Sequence, residues 1–354
     1  MKDWWIYYGE GSPEEKLARL AAIKPPPWRE FTGSPDPAYQ RPGTEGPAWA
    51  KSKSRGSGYV PGDAEKDAVN TALYLRRPLL VTGKPGVGKS TLAHSIAADL
   101  ALGPVLHWPI TSRTTLLDGL YHYDAISRLQ DANLFQNLRA GGTRGGRQRG
   151  GRPSVTPGPS IAPYLRLGPL GTALLPQVRP RVLLVDEIDK SDIDLPGDLL
   201  TIFEEGSFEI TELARIAARH PQVRLGTEDG PEHDVLVQRG RVGCREFPVV
   251  VLTSNGERDF PPPFLRRCIR LHVEQPDKEK LEKIIRQRLA LTSVAGDEYQ
   301  DLIEAFLDRG SAGDLATDQL LNAVQLRLSN AWSHPGDRDQ FVKTVMQRLT
   351  GPST

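Results

Sequence analysis

The chain has 354 residues, enough for one large domain or two smaller ones. Its 45 lysines and arginines nearly balance 44 aspartates and glutamates, so bulk charge singles out no polyanionic partner. Only two cysteines, Cys244 and Cys268, occur, which excludes a disulfide framework or a multi-cysteine zinc site and fits a reducing cytoplasm.

No apolar run approaches the roughly 20 residues that a membrane span needs. Met1-Lys2-Asp3-Trp4-Trp5 leads into no apolar h-region, so no signal peptide is expected. Residues 1–58 form an arm rich in proline and glycine, read as largely irregular. One helix is predicted there from Pro13 to Ile23, with Ser12 as N-cap, Pro13 at the first position, and Leu17 and Leu20 on its apolar side. The arm also holds Trp4, Trp5, Tyr7, Tyr8, Trp28, Phe31, Tyr39 and Trp49. Two readings are open for these rings: packing on the arm's own domain, or docking on a neighbouring subunit or partner.

The globular part begins near Tyr59. Asp63 is read as the cap of a helix running to Leu75, closed by Arg76-Arg77-Pro78. Leu79 to Thr82 reads as a buried strand. It runs into Gly83-Lys84-Pro85-Gly86-Val87-Gly88-Lys89-Ser90-Thr91, which fits the G-x-x-x-x-G-K-[ST] phosphate-binding loop. The chemistry requires this spacing. Glycines let the backbone wrap a phosphate and turn its N–H groups inward, and the next helix adds unpaired donors and its positive dipole end. Lys89 is expected to reach the β- and γ-phosphates, and the Ser90 hydroxyl to bind Mg²⁺.

A short second strand is read within residues 104–110. Residues 139–160 alternate glycine with Arg139, Arg144, Arg147, Arg149 and Arg152, the pattern of a basic surface loop. Such a loop suits single-stranded nucleic acid, an acidic protein surface or no fixed partner. Arg181-Val182-Leu183-Leu184-Val185 then reads as a strand buried on both faces, ending in Asp186-Glu187. A helix follows from Asp192 to Glu205. Phe208-Glu209-Ile210 is read as a hairpin arm, with residues 221–246 as its irregular continuation. Pro248 to Asn255 and Ile269 to Val273 are two more strands. From Pro276 onward the apolar spacing is helical, in four stripes. Strands alternating with helices, then helices alone, predict an α/β domain followed by a helical one.

Hydrolysis needs more than the loop. Asp186 stands where a strand-end carboxylate holds the Mg²⁺ shell, and Glu187 where one can orient or deprotonate the attacking water. Asn255 ends the next strand, where a neutral amide can position water; Asn-Gly is equally a turn signal. Arg266 and Arg267 follow Pro261-Pro262-Pro263 and suit either a finger on a transferring phosphoryl group or a surface ion pair.

In this order of parts the chain resembles an AAA+ ATPase over residues 59–350, most closely the MoxR-type branch. Tyr59-Val60-Pro61, Gly168-Pro169-Leu170-Gly171, Asp186-Glu187-Ile188-Asp189-Lys190 and Leu199-Leu200-Thr201-Ile202-Phe203-Glu204-Glu205-Gly206 carry that likeness. The resemblance implies a P-loop NTPase fold, a parallel sheet flanked by helices, followed by a small all-helical lid. It places an α/β domain at 59–275, with an insertion at 207–246 before sensor 1, and a lid at 276–350. ATP and Mg²⁺ are the implied cofactors. Pro85, Gly86, Val87, Gly88 and Thr91 belong to the nucleotide loop, Tyr59 and Val60 line the adenine pocket, Asn255 is sensor 1, and Arg267, or Arg266, is the finger. The finger implies a homo-oligomer, usually a hexameric ring. Residues 111–160 correspond to a second insertion of this branch, and both insertions would touch a protein client or partner, in this branch often one with a von Willebrand A-type metal site.

One departure stands out. Relatives carry a sensor 2 arginine near Gly313–Gln319, where this chain has none; Arg309 and Arg327 only flank it. Slow or partner-dependent hydrolysis is the consequence expected. The leading function is an ATP-driven remodelling chaperone. The alternatives are a nucleotide-gated switch or scaffold of a multi-protein, possibly defence, system, and a nucleic-acid-handling ATPase using the arginine-glycine loop.

Overall fold

A computed structural model describes residues 2–142, 160–289, 299–310 and 316–329. Most of the arginine-glycine loop, Gly313 to Leu315, and the fourth helical stripe lie outside the described residues. The arm forms helices α1 (Pro13–Ala21) and α2 (Gly46–Gly56). The α/β part follows as α3 (Asp63–Leu75), β1 (Leu79–Thr82), α4 (Lys89–Asp99), β2 (Leu106–Pro109), α5 (Leu116–Leu120), β3 (Tyr121–Tyr123) and α6 (Ala125–Gly142). After the loop come β4 (Leu165–Leu167), α7 (Pro169–Ala173), β5 (Val182–Asp186), α8 (Leu195–Glu205), β6 (Ser207–Glu209) and α9 (Thr211–Ile216). The last part comprises β7 (Gln222–Thr227), β8 (Gly230–Gln238), β9 (Arg241–Gly243), β10 (Val249–Ser254), α10 (Pro262–Leu265) and β11 (Ile269–His272). Three described helices close the chain: α11 (Lys278–Arg288), α12 (Gln300–Gly310) and α13 (Thr317–Leu328).

The main sheet is five-stranded and parallel, in the order β11-β1-β10-β5-β2. Its central strands β1, β10 and β5 read as apolar runs because both faces are covered. Leu80, Leu183, Val185, Val250 and Leu252 enter one core cluster. Their neighbours Leu79, Val81, Val182, Leu184, Val249 and Val251 enter the other. Period-2 alternation thus divides the three central strands, β1, β10 and β5, between two cores. Helix α4 lies on the second of these, and α2 covers its outer side. The contact is close: a Cβ on Gly56 would lie 2.5 Å from the His94 carbonyl oxygen.

Of residues 221–246, expected to be irregular, most form ordered strands instead. They contribute to a six-stranded sheet in the order β3-β4-β7-β8-β9-β6. Val223 and Leu225 on β7 face inward with Val235 and Val237 on β8, a period-2 pattern. The polar turn between the strands and the surrounding charges obscure that pattern in the sequence. Arg239 (φ 51°) and Gly240 (φ 74°) make the two-residue turn from β8 to β9.

The arm is a belt around this body. Ile6 and Tyr7 donate their N–H groups to Asn70 Oδ1, at 2.7 and 3.0 Å, and Asn70 Nδ2 donates back to the Tyr7 carbonyl at 2.8 Å. Lys16 Nζ pairs with Asp99 at 2.5 Å in a buried bridge. Arg29 donates to the Phe203 carbonyl at 2.7 Å, and Phe31 stacks on Phe247. Trp5, Tyr7 and Trp49 are buried, while Trp28 remains 75% exposed. Helix α2 is a second arm helix beyond the one expected. Ser12 accepts from Glu15 N at the start of α1, and the cap of α3 is Gly62, not Asp63, with the Glu65 carboxylate taking the Gly62 N–H.

Three helices form a small third core, with Leu281, Ile285, Leu302, Ile303, Phe306, Leu320 and Val324 buried together. This is the helical lid beyond the parallel sheet. Among the described residues, no helix is long and apolar enough to cross a membrane.

Candidate functional site

Where β1 meets α4, the backbone turns through Gly86 (φ 76°) and Gly88 (φ 97°), the latter capping α4. A Cβ on Gly86 would lie 2.2 Å from the Ala316 Cβ, so only glycine lets the lid approach this loop. Thr317 N donates to the Gly86 carbonyl at 3.2 Å and fastens α13 to it. Between loop, sheet end and lid lies a cavity of about 480 Å³. Tyr59, Val60, Pro85 to Thr91, Asp186, Glu187, Thr253 and Asn255 line one side; Lys280, Ile284, Arg288, Ala316, Thr317, Asp318 and Leu321 line the other. A larger cavity, about 710 Å³, lies between α1 and the opposite end of the sheet and contains none of the expected site residues.

Lys89 is buried and fully engaged. Its Nζ donates to the Gly83 and Lys84 carbonyls and to Asn255 Oδ1, each at 2.8 Å. Burial lowers its pKa, and Asp189, Asp186 and Glu187 oppose that shift. Asp186 Oδ1 accepts from Ser90 Oγ and from Thr253 Oγ1, both at 2.6 Å. His107 Nε2 stands 3.3 Å from Oδ2. Burial alone would raise this carboxyl's pKa; hydrogen bonds from His107, Ser90 and Thr253 outweigh it and bring it down to about 2.

Glu187 has left-handed backbone (φ 63°), a costly conformation for a side-chain-bearing residue. Its N–H donates to Thr253 Oγ1 at 2.9 Å, and its carboxylate accepts from Lys190 Nζ at 2.7 Å. The Asn255 N–H donates to Asp189 Oδ2 at 2.8 Å, and Glu257 N donates to the same oxygen at 3.1 Å. One buried carboxylate therefore holds the loop that presents Asn255.

Arg266 and Arg267 do not line this cavity. The Arg267 guanidinium pairs with Glu204, and the exposed Arg266 accepts from Arg77 through its carbonyl. On the lid, Arg327 pairs with Asp301 at 2.7 Å, and the Arg309 side chain lies outside the described residues. The lid cations that do reach the cavity are Lys280, bridged to Glu65 at 3.0 Å, and Arg288, which donates to the Ser54 and Arg55 carbonyls at 2.9 and 2.7 Å.

The sequence reading missed His107, Thr253, Asp189, Lys190, Lys280 and Arg288 as site residues. Thr253 lies in a buried strand and Asp189 just after the acidic pair, neither at a distinguishing spacing. His107 carried no motif at all.

Among the described residues, no group of three or more His, Cys, Asp or Glu could enclose a metal. Mg²⁺ keeps waters and uses one or two protein ligands beside substrate phosphates. Ser90 Oγ, donating its proton to Asp186, retains its lone pairs for a cation, so the donor set fits.

A family model described as the AAA domain, dynein-related subfamily, matches residues 78–268. Among solved structures, domain III of the replication initiation protein DnaA from Thermotoga maritima is similar at 14% identity and TM-score 0.41, covering 82% of this chain and 95% of that one. A structure on the basis of katanin self-assembly is similar at 14% identity and TM-score 0.31, covering 78% of this chain and 63% of that one. At these scores the two likenesses bear on no residue's role. Among curated proteins, none matches the chain.

Proposed function

The chain belongs to the AAA domain family, dynein-related subfamily, and on that premise we propose a MoxR-like AAA+ ATPase that remodels a protein client as a ring. The observation that carries this reading is the convergence of Lys89, Ser90, Asp186, Glu187 and Asn255 on one cavity closed by the lid. Lys89 would exchange its carbonyl partners for phosphate oxygens. Ser90 and Asp186 would hold Mg²⁺, which when bound neutralises charge on the phosphate oxygens. Glu187, freed from Lys190, would orient the attacking water and take its proton; Asn255 would fix that water's position. Tyr59 and Val60 would flank the base.

Arg267 would serve the neighbouring subunit's nucleotide. Its pair with Glu204 is partly exposed, and such pairs are weak enough to be exchanged at an interface. A client or partner is supported by α6, where Ile126 (73%), Leu129 (64%) and Leu134 (60%) are exposed. Apolar side chains grouped this way outside any core mark interaction surfaces.

Turnover by Glu187→Gln tests the motor. ATP binding, followed with a fluorescent analogue, should persist, while multiple turnover falls roughly 10²–10⁴-fold. Equal single-turnover rates for the two proteins would sink the motor reading. A nucleotide-gated switch is the second reading. It is favoured by Asp318, not an arginine, standing at the lid side of the cavity, and by Arg288 being engaged with α2. A single burst per chain followed by a stall would support it.

A further inference from the structure

We propose that His107 is a positioning residue for the divalent cation, acting through Asp186. The proposal rests on reading Asp186 as the magnesium carboxylate.

Both oxygens of Asp186 are held, by different elements. Ser90 and Thr253 take Oδ1 from α4 and β10, and His107 approaches Oδ2 from β2, 3.3 Å away. Bonds to one oxygen restrain a carboxylate's rotation about Cβ–Cγ from one side only. A donor on the second oxygen restrains it from the other and holds the plane. A cation that reaches this carboxylate directly or through its water shell is sensitive to that plane. An ionised carboxylate only accepts, so Nε2 must carry the proton, which sets the imidazole's tautomer.

The placement of His107 is built rather than accidental. Strand β2 lies at the sheet edge, parallel to β5, with His107 opposite Leu184 and Pro109 opposite Asp186. Leu106 and Trp108 point into the core, so alternation sends His107 to the opposite face. The start of the strand is tied down from outside: Val105 N donates to Ser52 Oγ at 3.3 Å, and Ser52 Oγ also bonds His94 Nδ1 at 3.0 Å. Ser52 belongs to α2. The belt thus sets β2, and β2 sets the metal carboxylate.

The test uses the full-length chain in a Glu187→Gln background with ATP, titrating Mn²⁺ by electron paramagnetic resonance. His107→Ala should weaken Mn²⁺ roughly 10–100-fold. Affinity for a fluorescent ATP analogue in EDTA should not change. His107→Gln, whose amide N–H reaches where Nε2 stood, should restore most of the affinity, whereas the shorter His107→Asn should not. Mn²⁺ affinity within twofold of the parent for His107→Ala, alongside a loss for Asp186→Asn, overturns the proposal and spares the reading of the site. If Asp186→Asn also keeps its affinity, that reading falls and takes the proposal with it.

Discussion

At the scale of single residues, the site is a set of ionisable groups held in place before any nucleotide arrives. The clearest case is Asp186. Its pKa of about 2 lies below the ordinary 3.8, so the folded state favours the ionised form. The sign follows from linkage: this stabilisation is present above about pH 5 and is lost as the pH falls toward 2. Screened for its partial exposure, it is on the order of 1–2 kcal/mol. Denaturation of the metal-free protein should therefore show wild type losing stability relative to Asp186→Asn between pH 5 and 3. A pH-independent difference would mean that the three donors do not hold the carboxylate ionised. Lys89 was legible because a phosphate loop constrains sequence tightly: glycines at fixed offsets and a lysine after the last. His107 was not legible, since a histidine on a strand acquires meaning only from the carboxylate that tertiary pairing brings beside it.

At the scale of elements, the notable joint is buried. Arg181, directly before β5, donates from both terminal nitrogens to Asp229, at 2.7 and 2.8 Å, in the turn between β7 and β8. Tyr39 of the belt donates to the same carboxylate at 2.9 Å. Three distant segments meet on one ion pair with side chains 0% and 4% exposed. Removing one partner strands a charge, so Arg181→Met should cost about 3–5 kcal/mol in chemical denaturation. The double variant Arg181→Met with Asp229→Leu should cost less than Arg181→Met alone. Additive losses would show that the pair is not coupled. The strands of the main sheet were readable because burial on both faces leaves continuous aliphatic runs. Of the second sheet, the arm at Phe208 was readable; residues 222–243 were not, because those strands are half-polar and are joined through polar turns.

At the scale of the molecule, the cavity proposed for the nucleotide and the proposed finger lie apart. Arg267→Ala should leave ATP affinity of the dilute chain unchanged, because Arg267 does not line the chain's own cavity. In wild type, turnover per chain should rise with protein concentration as subunits meet. In Arg267→Ala that rise should be absent, with turnover down roughly 10³–10⁵-fold where wild type is assembled. Full turnover in Arg267→Ala would remove it as the finger and turn attention to Arg266.

Local chemistry determined what the sequence alone could state: the phosphate loop, the acidic pair after a buried strand, the parallel sheet and the helices that follow it. Each depends on residues adjacent in the chain, whose spacing the backbone itself enforces. Only the tertiary structure decided that the arm is a belt, that residues 222–243 form three ordered strands, that Asp189 holds the Asn255 loop and that His107 faces Asp186. The last two of these contacts join residues 66 and 79 positions apart. No local pattern encodes such pairs, because they exist only once burial has closed the chain on itself.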